Sequence, residues 1–201
     1  MTQQNSSSSE PAGLGDDTLA FADKVFDAAR NGDTASLAQW LAAGLAPDLR
    51  NAQGDSLLML ASYHGHAQAA ALLLEHGADA ALVNLRGLSP LAGAAFKGDP
   101  AMAELLLSHG ADVDSPAPDG RTPLMFAAMF NQVEIMQLLI ARGARTDARD
   151  ARGATPLDCA LAMGAQEAAG FLRGRQAFLA WSAGPSSFDG AAKVGSGRTE
   201  F

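Results

Sequence analysis

The side chains with most chemical reach in this sequence are four histidines (His64, His66, His76 and His109), one cysteine (Cys159) and the lone tyrosine, Tyr63. Imidazoles bind metals and carry protons, and a thiolate is a nucleophile. Their spacing argues for neither use. His76 and His109 stand 33 residues apart, each just before a glycine, so they occupy equivalent places on successive structural units. Packed helices lie about 8–10 Å apart, whereas each ligand of a metal sits about 2 Å from it. Cys159 has no histidine near it in sequence and reads as a small buried hydrophobe. No G-x-S-x-G, H-E-x-x-H or P-loop pattern occurs, and Gly13-Leu14-Gly15 follows a polar stretch rather than a strand. No catalytic residue, metal ligand or cofactor is assigned. The chain reads as a non-enzyme.

The elements that position these side chains repeat. Gly44, Gly77, Gly110 and Gly143 are 33 residues apart, and two further series keep step: Gly32, Gly65, Gly98, Asn131, Gly164, and Gly54, Gly87, Gly120, Gly153. One period shared by three registers means a stack of supersecondary units, none able to bury its apolar face alone. Each full unit opens with a turn glycine and a cap signal: Ser56-Leu57-Leu58, Ser89-Pro90-Leu91, Thr122-Pro123-Leu124, Thr155-Pro156-Leu157. The hydroxyl accepts from free N–H groups at a helix start, and proline just inside has no N–H to lose. A glycine such as Gly65 or Gly98 then ends a first helix. A second helix carries Leu72-Leu73-Leu74, Leu105-Leu106-Leu107 or Leu138-Leu139-Ile140 and stops at Gly77, Gly110 or Gly143.

The sequence G-x-[ST]-P-L, then A-A-x-x-G-H, then L-L-L-x-x-G-A-D resembles the ankyrin repeat over residues 18–175. The resemblance implies an all-α solenoid of about five helix-turn-helix units of 33 residues. Units are expected at 18–50 (an N-terminal cap), 51–83, 84–116, 117–149 and 150–182 (a C-terminal cap). Together they form a domain over 16–182, between disordered tails at 1–15 and 183–201. The histidine that the family commonly carries after Thr-Pro-Leu is replaced by Met59, Ala92, Met125 and Asp158. His66 matches the family's structural Gly-His. Gly170 and Gly174 are expected to interrupt the last helix, with residues 177–181 as an apolar terminal cap.

The family binds partners through its finger turns and the concave face of its first helices. Carried onto this chain, the exposed helix ends present Arg30, then Tyr63 and His64, Phe96 and Lys97, Met129 and Phe130, then Met163. Aromatic residues and methionine at a slot without core duty point to a binding stripe. Residues 141–175 carry six arginines against four acids. Arg142, Arg145, Arg149 and Arg152 surround one finger, with Arg142 and Arg152 as candidate contacts for an acidic partner surface or the chain's own acidic segment.

At 201 residues and 48% apolar content the chain can bury a continuous core. A net charge of −8 argues against nucleic acid or an anionic membrane as partner. The polar start lacks the basic and apolar regions of a secretory signal, and apolar runs are broken well short of a bilayer span. The expectation is a soluble, cytoplasmic, monomeric protein-interaction module with Ala/Gly/Arg-rich, bacterial usage, whose partner is a protein. The resemblance also implies two alternatives. One is an oxidative-stress accessory that supports a catalase or handles haem, with Tyr63 and His64 as ligands. The other is an immunity-type inhibitor that plugs an enzyme through the same stripe.

Overall fold

The computed structural model describes residues 13–182. Ten helices in five pairs fill them: α1 (Gly13–Asn31) with α2 (Thr34–Ala42), α3 (Leu57–Tyr63) with α4 (Ala67–Glu75), and α5 (Pro90–Lys97) with α6 (Pro100–Ser108). The last two pairs are α7 (Pro123–Met129) with α8 (Val133–Ala141), and α9 (Pro156–Ala162) with α10 (Gln166–Ser182). First helices pack on first helices and second helices on second helices along the chain. Among the described residues the only extended pairing is an isolated bridge between Arg50 and Ser56. The chain is an all-α repeat solenoid, as its period predicts.

Local chemistry sets each helix start. The hydroxyls of Ser56, Ser89, Thr122 and Thr155 accept the backbone N–H groups of Met59, Ala92, Met125 and Asp158 at 3.1, 3.2, 3.4 and 3.3 Å. Asp158 completes a reciprocal box by accepting from Thr155 N–H at 2.9 Å. Most of these helices run only seven to nine residues, too short to persist alone in water. Packing holds them: Leu58, Leu73, Leu91, Leu106, Leu124 and Leu139 are fully buried in one core that runs the length of the stack.

Asn131 is the one described non-glycine with positive φ, at 59°, in the slot that Gly65, Gly98 and Gly164 fill elsewhere. Its side-chain carbonyl accepts the N–H of Ala168 at 2.9 Å, binding the fourth unit to the fifth. The fingers have their own device. Asn51, Asn84 and Asp150 each accept two backbone N–H groups of their turn at 2.9–3.0 Å. The Asn84 amide also donates to Asp55 at 2.8 Å, linking adjacent fingers.

Three expectations change. Residues 13–15, placed in the N-terminal tail, form the first turn of α1. Gly170 and Gly174 do not interrupt α10, which runs to Ser182. A mid-helix glycine costs about 1 kcal/mol, and Ala168, Ala169 and Leu172, all buried, hold the helix through the first of them. The apolar end of α10 does not pack on the stack: Phe178 and Trp181 are 63% and 79% exposed and contact each other at 6.2 Å. The remaining tail residues, 1–12 and 183–201, lie outside the described residues.

Candidate functional site

The ends of α3, α5 and α7 bring their aromatic residues into one line. Tyr63 closes α3, Phe96 lies in the last turn of α5, and Phe130 follows α7. The apolar faces of these helices are consumed inside the stack, so the end positions are left partly outside: Tyr63, Phe96 and Phe130 are 39%, 37% and 39% exposed. The Tyr63 and Phe96 rings lie nearly parallel at 6.4 Å, and Phe96 meets Phe130 edge-to-face at 4.5 Å. Lys97 places its Nζ 4.5 Å from the centre of the Tyr63 ring. His64 meets Tyr63 edge-on at 5.6 Å and stacks on His66 at 6.4 Å. Burial, then the neighbouring His66, Lys97 and Arg30, lower the pKa of His64 below the ordinary histidine value.

Below the rings runs a groove of about 380 Å³ between the first helices and the fingers. Met59, Ala92 and Gly93 line it, with Tyr63, Phe96 and Phe126 as walls and Asp55, Asn84 and Arg86 on the finger side. Gly93 makes the opening. It sits at the register that Leu60, Phe126 and Cys159 occupy in the sister repeats. A Cβ there would meet only the edge of Tyr63 at 3.6 Å and the sulfur of Met59 at 4.0 Å. Sequence reasoning passed over Gly93, Met59, Phe126 and Arg86 as site residues. The available signal was that Gly93 belongs to none of the three glycine registers.

The other expected contacts lie elsewhere. Met129 is half-buried and packs against Met125, Ala148 and Cys159. Met163 is 53% exposed at the end of α9. Arg142 caps α8 in the row of second helices and pairs with Glu104 of α6. Arg152 is exposed in the finger that follows, where its backbone N–H donates to Asp150 at 2.9 Å. Neither arginine lines the groove. The basic cluster around that finger is partly committed to itself, since Arg149 donates to the Gly153 carbonyl at 2.7 Å and Arg145 lies 3.4 Å from Asp147.

The remaining reactive groups have structural partners. His66 Nε2 donates to the Arg30 carbonyl at 2.7 Å, a bond between units. His76 and His109 each donate from Nδ1 to a carbonyl in the last turn of their own helix, at 2.9 Å. Cys159 is buried, and burial followed by Asp150 pushes its thiol pKa up, away from thiolate. Among the described residues no three His, Cys, Asp or Glu side chains gather where they could hold a metal ion, and no helix is long and apolar enough to cross a membrane. The arrangement is suited to holding an apolar or aromatic group by contact and charge.

A Pseudomonas aeruginosa protein named for ankyrin repeats is 56% identical over 56 residues, which are 28% of this chain and 33% of that protein. The match thus spans about a third of the relative's length. The family described as ankyrin repeats in three copies matches residues 25–117 and again 94–178. Together these matches cover most of the solenoid, with its caps, left-handed helix ends and fingers in register. The chain belongs to the ankyrin-repeat family.

Proposed function

Ankyrin repeats mediate protein–protein interaction, and we propose that this chain binds one partner protein through the line of rings from Tyr63 to Phe130 and the groove beneath it. The observation that carries this reading is the continuity of the aromatic stripe: three rings from three successive repeats touch in series while each stays more than a third exposed. Such a stripe offers large contact area at low entropic cost, the character of an interface hot spot. Lys97 and His64 form its polar edge, and Met163 holds the register of Phe130 one repeat further on. Met129, Arg142 and Arg152 fall outside it. The module acts as a monomer of the cytoplasm and without chemistry of its own, by covering, stabilising or delivering its partner.

The test uses the full chain as bait in a bacterial lysate, beside the variant Phe96→Ala/Phe130→Ala and the variant Arg142→Ala. A specific partner should be retained by the wild type and by Arg142→Ala and lost by the double variant. Retention by all three would place the interface elsewhere.

A further inference from the structure

The groove at Gly93 has a shape and charge that select among partners. We infer that it receives an aromatic side chain presented by an acidic peptide segment. This rests on the binding face proposed above and names what that face recognises.

Three observations carry it. First, the groove, lined from three successive repeats, opens where one of them departs from the pattern of its neighbours. Where Leu60 and Phe126 project in the neighbouring repeats, Gly93 projects nothing, and Ala92 stands where Met59 and Met125 stand. Second, its walls are rings. Tyr63, Phe96 and Phe126 surround the gap, and aromatic groups pack best against other rings in offset or edge-to-face contact. Third, its rim is cationic. Arg86 lines the finger side, and Lys97 lies over Tyr63 at the helix ends. Among the described residues neither has a carboxylate partner within ion-pair distance. The one carboxylate that lines the groove, Asp55, keeps its charge while accepting from the Asn84 amide at 2.8 Å, so the two cations face a single anion. The local sign is therefore opposite to the chain's net charge of −8. At physiological salt the screening length is about 8 Å, so a carboxylate beside Arg86 or Lys97 answers to that rim rather than to distant acids.

Gly93 is a specificity residue that can be changed without disturbing the scaffold. Its backbone is ordinary helix, and its counterparts Leu60, Phe126 and Cys159 show that the register accepts larger side chains. A random-peptide display library panned against the full wild-type chain supplies the probe. Enriched peptides should carry Phe, Tyr or Trp next to Asp or Glu. The best of them, made synthetically, should bind Gly93→Leu and Arg86→Glu/Lys97→Glu at least tenfold more weakly than wild type, with Gly93→Leu melting at or above the wild-type temperature. Should Gly93→Leu fail to fold, the charge-reversal variant and Gly93→Ala carry the same test.

No enrichment, enrichment of basic or non-aromatic peptides, or unchanged affinity for these variants would overturn the inference. If the enriched peptide is lost on Phe96→Ala/Phe130→Ala but keeps its affinity for Gly93→Leu and for the charge reversal, the binding face stands and only its selectivity for an acidic aromatic segment falls. If it keeps its affinity for all of these variants, both fall.

Discussion

Phe96 sits between Tyr63 and Phe130, so its ring has two neighbours where each of theirs has one along the line. Truncating Phe96 and Phe130 singly and together should reveal a coupling of about 0.5–1.5 kcal/mol in a double-mutant cycle, the usual worth of an aromatic pair. Because both rings remain more than a third exposed, the double variant should lose about 1–3 kcal/mol in all, below what burial of two whole rings would imply. Chemical denaturation measures it, and strictly additive losses would mean the rings do not interact. His64 gives a second test. Burial and nearby cations lower its pKa, so the native state holds fewer protons than the unfolded chain near and below the ordinary value of 6.5. Stability from this group is therefore present above pH 6.5 and declines as the pH falls through that value. An NMR titration should place the His64 midpoint below 6.5, and Lys97→Gln should move it upward; a midpoint above 6.5 would contradict the assignment. At this scale the sequence was only partly legible. Phe130 and Met129 are adjacent in one slot, yet a helical step of about 100° sends one outward and the other into the stack. The partner of Arg142 is Glu104, 38 residues earlier, a distance that no local pattern reports.

At the scale of elements, helix ends follow local rules and were readable in advance. Hydroxyl caps, proline at the first helical position and left-handed residues at the close all act within a few residues. Asn131 is the informative exception, because it carries both a positive φ and a bond to Ala168. Asn131→Ala should lose the bond while keeping the left-handed backbone, and cost about 1–3 kcal/mol from strain and a lost cap together. Asn131→Gly removes the strain and should cost less. If glycine proves as harmful as alanine in a denaturant melt, the hydrogen bond alone matters; if glycine costs nothing, that bond contributes little. The finger asparagines were equally open to reading, since Asn51 and Asn84 keep the 33-residue period. The groove was not. It depends on how Gly93, Phe126 and Arg86 come together from two helices and a finger, although a glycine out of phase with its registers pointed to the place.

For the whole molecule, the period alone dictated a stack in which each unit leans on its neighbours. Leu106 is completely buried in the shared core. Leu106→Ala should cost about 2–5 kcal/mol, and nearest-neighbour coupling should spread the loss through adjacent repeats as a single cooperative change. A loss below about 1 kcal/mol would show that the core is not continuous there. On this scaffold we propose, as the central claim, that the partner sits on the face formed by the ends of the first helices. The most direct measurement is the affinity of a captured partner for wild type and for Phe96→Ala/Phe130→Ala, read beside their denaturation midpoints. Two hot-spot rings worth about 1 kcal/mol or more each predict at least roughly 30-fold weaker binding, with the fold retained. Undiminished affinity in the folded double variant would contradict the claim.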